Sequence, residues 1–332
     1  MYYLDEIAKS IRKHNGIRRK KDIGSIVNFF NNDALASFGE DCAVIRNGKK
    51  VILFACDGII ESIVKKTPYL AGYFSILVNA NDIASMGGKP LAAVNVLSYR
   101  NKQVLNRMLE GLAEGSKKFG VQIVGGHIHP QSRYDSISVS ILGEGKLGHL
   151  LYSHTAKPKD DILFAIDTDG KFISTLEAFD TTTHKSSKQI KRRYEGMRRV
   201  AELSLSKCAK DISNAGTLGT LAMILELSLV GAKIDVRKIP KPKDAPLVKW
   251  LNAYQGCGFV LTCKNENSRE LISLLEEAGF EVAKVGKITE DKRLVIEDEK
   301  EKKEVFNFMK EGITNLGKNR VRIKSQNQEK LF

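Results

Sequence analysis

Residues 76–90 read Ile-Leu-Val-Asn-Ala-Asn-Asp-Ile-Ala-Ser-Met-Gly-Gly-Lys-Pro, an apolar segment that carries Asn79, Asn81 and Asp82 inside it. Gly87 and Gly88, then Pro90, are stop signals for a helix over 76–86. Asn79 and Asp82 are three apart and share one helix face. Polar groups in so apolar a helix are costly to bury without partners. This face is therefore expected to meet a metal ion, a phosphate or a second carboxylate.

Four further clusters carry groups of the right type. In Gly39-Glu40-Asp41-Cys42-Ala43-Val44-Ile45 two carboxylates precede an apolar strand, and Asp57 ends the strand expected over 51–56. Each also reads as an ordinary turn acid. Gly125 and Gly126 follow a buried strand and would let a backbone approach a phosphate closely. His127 and His129 are two apart and face one side of an extended chain, as catalytic groups or as hydrogen-bonded structural ones. Finally, Asp211 opens Lys210-Asp211-Ile212-Ser213-Asn214-Ala215-Gly216-Thr217, a small-residue loop before a helix. That arrangement suits an anion at a helix N-terminus, or a helix capped by Asn214 or Thr217. If Asp41, Asp57 and Asp82 converge, three like charges require cations, and hard oxygen ligands favour Mg²⁺ shared with phosphates. Neither a Walker A sequence nor a dinucleotide-binding glycine fingerprint is present.

These groups need a scaffold. The chain has 332 residues, enough for two domains. Short apolar runs predict strands at 51–56, 92–97, 121–124, 137–141, 162–166, 232–236, 258–263, 281–286 and 293–296. Helices are expected at 101–119, 195–209, 217–230, 246–253, 267–278 and 301–313, after a basic helical lead-in over 1–36. This alternation indicates an α/β or α+β fold with more than one sheet. The expected division is 1–150, 151–315, and a basic tail over 316–332.

No apolar run is long enough to span a bilayer, and the first residues do not resemble a signal peptide, so a cytoplasmic location is expected. Five cysteines with no C-x-x-C pair argue for reduced thiols. The formal charge is +14, concentrated in 1–24, 185–199 and 310–332. Such segments are solvated faces or contacts for a polyanion; aromatic residues do not interleave them as a single-strand platform requires.

In this order the motifs resemble the aminoimidazole-ribonucleotide synthetase superfamily, whose members include thiamine-monophosphate kinase and selenophosphate synthetase. The resemblance runs from about residue 35 to about residue 290. Residues 39–44 are similar to G-D-D-[AC]-A-V, residues 78–90 to V-N-x-S-D-[IL]-A-A-M-G-A-x-P, Gly125-Gly126-His127 to G-G-D, and Asp211-Ile212-Ser213 to D-[IV]-S. It implies a two-domain PurM-like fold whose first domain forms a β-barrel across a homodimer, with ATP and Mg²⁺ in a cleft lined by both halves. It also implies Asp41 and Asp82, with Glu40 beside them, as metal ligands. Asn79, Asp57, Gly125, Gly126 and Asp211 become nucleotide-side residues. On imidazole chemistry alone, His127 or His129 is expected to act as general base.

Two departures set this chain apart: His127 and Asn214 stand where the kinase has acids. Those variants resemble an archaeal branch called methanogenesis marker 2. The expected function is ATP- and Mg²⁺-dependent activation of an oxygen of a small, phosphorylated substrate by phosphoryl transfer, either kinase-like, stopping at the phosphorylated product, or synthetase-like, with the phosphate then leaving. The alternative is a catalytically idle nucleotide-binding or assembly protein that holds a phosphorylated cofactor or RNA.

Overall fold

The computed structural model describes residues 3–30, 32–174, 176–254 and 256–317. The expected basic tail lies, from residue 318 onward, outside the described residues. In chain order the elements are α1 (Tyr3–Lys13), α2 (Asn15–Arg18), α3 (Ile23–Ile26), β1 (Ala43–Asn47), β2 (Lys50–Gly58), α4 (Glu61–Lys66), α5 (Pro68–Ser85), β3 (Lys89–Ser98), α6 (Lys102–Phe119), β4 (Gln122–His129) and β5 (Ser136–Lys146). The second half contains β6 (Asp161–Ile166), β7 (Lys171–Ile173), β8 (Ala178–Asp180), α7 (Ser187–Glu202), β9 (Cys208–Asp211), α8 (Gly216–Ser228), β10 (Gly231–Asp235), α9 (Leu247–Asn252), β11 (Gly258–Cys263), α10 (Ser268–Ala278), β12 (Glu281–Thr289), β13 (Arg293–Glu297) and β14 (Lys302–Asn307).

The first half forms a five-stranded sheet in the order β1-β2-β5-β3-β4, antiparallel except for β3 and β4. Along β2, Val51, Leu53 and Ala55 are buried while Phe54 and Cys56 are exposed, the alternation of a sheet covered on one face. The covering helices are α5 and α6. α6 begins where Asn101 accepts a hydrogen bond from the Val104 N–H at 3.0 Å and ends at left-handed Gly120. The other face is apolar and uncovered, with Phe54, Val94, Val96, Val124 and Leu142 all exposed.

The second half forms a seven-stranded sheet in the order β14-β13-β10-β12-β6-β11-β9. Its strands β6, β9 and β11 are buried throughout, as strands covered on both faces must be. α5 joins the two halves. It packs on β2, β3 and β5 of the first sheet and on β9 and α7 of the second half. That is why its sequence is apolar nearly all round. Its C-terminal turn closes with Gly87 N–H on the Ala84 carbonyl and Gly88 N–H on the Ile83 carbonyl, Gly87 taking φ +74°.

Four expectations change. Residues 302–307 are strand β14 rather than a helix: their charged residues favour a helix locally, but Val305 and Phe306 are buried in the second core and the strand pairs with β13. The helix expected at 195–209 begins earlier, at a Ser186–Gln189 capping box, and gives way to β9. The strand expected to stop at 124 runs through His129. The lead-in is regular only over α1, whose Leu4, Ile7, Ala8 and Ile11 are buried against the second half; short turns follow.

Candidate active site at the junction of the two halves

Three carboxylates meet beside α5. Oxygens of Asp41, Asp82 and Asp211 all lie within 4.8 Å of one another. Asp41 comes from the loop before β1, Asp82 from the C-terminal part of α5, and Asp211 from the end of β9. Two like charges at about 5 Å repel by about 3 kcal/mol at the effective dielectric of a protein site. Burial, then the charge of neighbouring Asp41, pushes the Asp211 carboxyl up to about 8. Asp82 moves the same way, through burial and then the charges of Asp57, Asp211 and Asp41.

Asp41 is held from three directions. Ser85 Oγ donates to its Oδ2 at 2.6 Å, the Asp211 N–H donates to the same oxygen at 3.3 Å, and the Lys210 ammonium contacts Oδ1. Burial acts to lower the Lys210 pKa, but Asp41 and Asp211 outweigh it and the net shift is upward.

A cavity of about 240 Å³ adjoins the carboxylates. Arg19, Lys20, Asp57, Asn81, Asp211 and Asn214 contribute its polar walls. The volume is below the roughly 300–1,000 Å³ of sites that enclose a drug-sized ligand, so it can house only part of one. Asp57 is accessible to water here, and the protein packed around it still raises its pKa. Lys20 arrives on the N-terminal lead. Gly16 lies so close to the Asn214 carbonyl that a Cβ would sit 1.5 Å from it, and Asn315 Nδ2 donates to the Lys21 carbonyl at 2.9 Å. Burial, then the charge of Lys210, lowers the Lys20 pKa. α8 follows Ala215, which gives it no side-chain cap, in place of the Asn214 or Thr217 cap its sequence offers.

The other expected residues lie elsewhere. Glu40 turns to the connection between the sheets, where it accepts the Ser153 N–H at 2.6 Å and contacts His154 Nδ1. Its side chain is fully buried there. Asn79 is also fully buried; its Nδ2 donates to the Ser75 carbonyl at 2.8 Å, and its Oδ1 accepts from no described group. The neighbouring Asn81 faces the cavity instead. It donates to the Gly256 carbonyl at 3.1 Å and accepts the Tyr194 hydroxyl at 2.8 Å. Gly125 and Gly126 lie within β4 rather than in a loop. A Cβ on Gly126 would come within 2.5 Å of the Asn95 carbonyl, so close pairing with β3 accounts for that glycine. His127 and His129 are exposed on this edge strand, ring centroids 4.6 Å apart, and His127 is opposite Val96 of the uncovered face.

Sequence reasoning missed Lys20, Lys210 and Asn81 as site residues. Lys210 directly precedes Asp211, and Asn81 precedes Asp82. Lys20 left only a charge run as its signal.

The fold and site define a two-domain protein of the PurM-like class. Residues 39–146 match the AIR synthase related protein N-terminal domain and residues 161–299 its C-terminal domain. The chain belongs to the AIR synthase related family. It is 40% identical over 319 residues to the uncharacterized protein MJ0640 of Methanocaldococcus jannaschii, covering 93% of this chain and 98% of that one. Thiamine-monophosphate kinase of Pyrococcus horikoshii is 26% identical over 302 residues, covering 85% of this chain and 92% of the kinase. Among solved structures, T. maritima PurL complexed with ADP superposes with a TM-score of 0.76 at 14% identity over 95% of this chain. This chain spans 52% of that PurL chain. AaThiL complexed with AMPPCP and TMP superposes with a TM-score of 0.66 at 16% identity, covering 86% of this chain and 96% of AaThiL. Among the described residues no helix is long and apolar enough to cross a membrane.

Proposed function

We propose that this chain binds ATP with Mg²⁺ and transfers its terminal phosphoryl group to an oxygen of a small, phosphorylated acceptor. The observation that carries this reading is the convergence of Asp41, Asp82 and Asp211 from three separate segments beside a cavity that Arg19 and Lys20 also line. An all-oxygen donor set with so much repulsion to relieve fits a hard divalent ion. Mg²⁺ bound there supplies charge neutralisation for phosphate oxygens. Asp41, Asp82 and Asp211 would hold it, while Asp57 faces the adjoining space. Lys20 and Arg19 offer charge-assisted hydrogen bonds to phosphates entering the cavity. Transfer forms the bond from acceptor oxygen to phosphorus as the bond to ADP breaks, and the acceptor's proton is lost to water or a nearby base. Catalysis of this kind is mostly positioning and charge stabilisation. The kinase relative and the nucleotide-bound structural neighbours support the reading.

The uncovered apolar face of the first sheet supports a homodimer, which would place His127 and His129 at the interface. The test of function is calorimetry and turnover with Mg-ATP. Asp82→Asn is expected to abolish Mg-dependent nucleotide binding while the chain remains folded; unchanged binding would remove this site from consideration.

The Lys210–Asp41 ion pair favours a second reading, because an ammonium already neutralises one carboxylate. In that case the chain binds nucleotide without turnover. Burst-free, zero-rate phosphate release alongside measurable ATP binding would distinguish it. RNA draws less support. Of the basic residues in 185–199, Lys185 and Arg193 pair with buried Asp167, while Arg198 pairs with Glu195 and Glu202.

A further inference from the structure

We infer that Lys210 and Lys20 are resident cations of the carboxylate cluster, leaving room in it for one divalent ion and no second. The inference rests on the metal-binding reading above and concerns how many ions that site accepts. With every carboxylate ionised, as a bound cation requires, Asp41, Asp57, Asp82 and Asp211 contribute four formal negative charges, and Lys20 and Lys210 two positive ones. The balance is −2, the charge of one divalent cation with opposite sign. Counting the next charges outward, Glu40 and Arg19, leaves that balance unchanged.

The Lys210 ammonium is pinned, and the backbone that carries Lys20 is fixed against the second half. Lys210 is buried on β9, its backbone in register with Val260 of β11, and its ammonium contacts Asp41. A second ion bridging Asp41 to its neighbours would have to displace that ammonium from a pocket with little access to water. The backbone on either side of Lys20 is held by two separate segments. Gly16 is seated on Asn214, the Gly24 N–H donates to the Thr314 carbonyl at 2.8 Å, and Asn315 holds the Lys21 carbonyl. Lys210 thus acts as a fixed positive charge, with Lys20 on the cavity wall beside it, where further metal ions would otherwise be required. Unlike metal ions, they cannot be removed by a chelator.

The probe is Mn²⁺ alone, titrated into the full chain without nucleotide and followed by electron paramagnetic resonance of the free ion. The wild-type chain is expected to take one Mn²⁺. Lys210→Met is expected to take a second Mn²⁺, or to bind the first at least tenfold more tightly. Unchanged stoichiometry and affinity in Lys210→Met, weaker binding, or two ions in the wild type would each overturn the inference. Failure of the wild type to bind Mn²⁺, with or without a non-hydrolysable ATP analogue, would overturn the metal-site reading itself. If Lys210→Met does not melt cooperatively, Lys20→Met serves instead. Its expected result is roughly threefold tighter Mn²⁺ binding, and no change would count against the inference.

Discussion

Tyr194 donates its hydroxyl to Asn81 Oδ1 at 2.8 Å, tying α7 of the second half to the residue beside Asp82. Both side chains are buried, and Asn81 also reaches the Gly256 carbonyl. One asparagine therefore fixes α5 against two segments of the second half. Tyr194→Phe leaves a buried acceptor unpaired, which costs about 1–3 kcal/mol. The expected outcome is a lower urea midpoint by that amount with an unchanged slope. A variant as stable as the wild type would mean that water replaces the hydroxyl.

The carboxylate cluster makes stability depend on pH. Asp211 has an ordinary pKa of 3.8 and is raised by burial and by Asp41 to about 8 in the folded chain. Between those values the folded chain holds a proton that the unfolded chain has released. Stability is therefore expected to fall as pH rises from about 4 to about 8, with no penalty below that window. Asp82 adds to the same trend. With a chelator present, Tm is expected to be several degrees lower at pH 8 than at pH 6. Saturating Mg²⁺ should reverse the loss, since a ligand bound only by the folded form stabilises it. A Tm that rises over this interval with chelator present would contradict the assigned environment.

Glu40 has the sequence position of a metal ligand and the contacts of a structural residue. Its buried carboxylate accepts the Ser153 N–H and meets His154, anchoring the connection between the two sheets. Glu40→Ala orphans the Ser153 N–H and is expected to cost about 1–3 kcal/mol. Affinity for Mn²⁺ should change by less than threefold, because Asp41, Asp82 and Asp211 remain. Loss of Mn²⁺ binding with intact stability would return Glu40 to the metal site.

The sequence located this site through its acids and missed the bases. Asp41, Asp82 and Asp211 stand out because a carboxylate among apolar or small residues has few structural uses. Lysines in a basic lead-in look like solvated charge, and only the docking of α1 and the following turns on the second half shows that Lys20 lines a cavity. Helix-face reasoning selected Asn79 because it lies three residues from Asp82. α5, however, is surrounded on nearly every side, so sharing a face does not decide which polar residue meets the cavity. Asn79 instead bonds back to Ser75 along its own helix. The error at 302–307 has a different source: local propensity in a charged segment was overridden by pairing with β13.

The uncovered sheet face predicts association. Phe54 and Leu142 are directly opposite each other on β2 and β5, and Val94 and Val96 extend the patch along β3. Phe54→Asp puts a charge into this patch without disturbing the buried face. The wild type is expected to be a dimer by light scattering, and Phe54→Asp should raise its dissociation constant at least a hundredfold. A monomeric wild type at micromolar concentration would rule out the dimer.

Gly16 is where the lead must touch the second half for Lys20 to reach the cavity. A Cβ there would fall 1.5 Å from the Asn214 carbonyl oxygen and 2.9 Å from its Oδ1, far inside contact distance. Backbone cannot retreat as a flexible side chain can, so Gly16→Ala must lift the segment that carries Arg19 and Lys20. The core of α1 is separate from this contact, since its buried residues pack toward β14, α8 and α9. Global stability is therefore expected to fall by only about 1–2 kcal/mol, within the ordinary range for a point substitution. Trypsin cleavage within 18–22 should accelerate at least tenfold, because local opening exposes its basic residues. Affinity for an ATP analogue should weaken at the same time, while Mn²⁺ binding persists through Asp41, Asp82 and Asp211. Unchanged proteolysis together with unchanged nucleotide affinity would show that Lys20 reaches the cavity without the Gly16 contact.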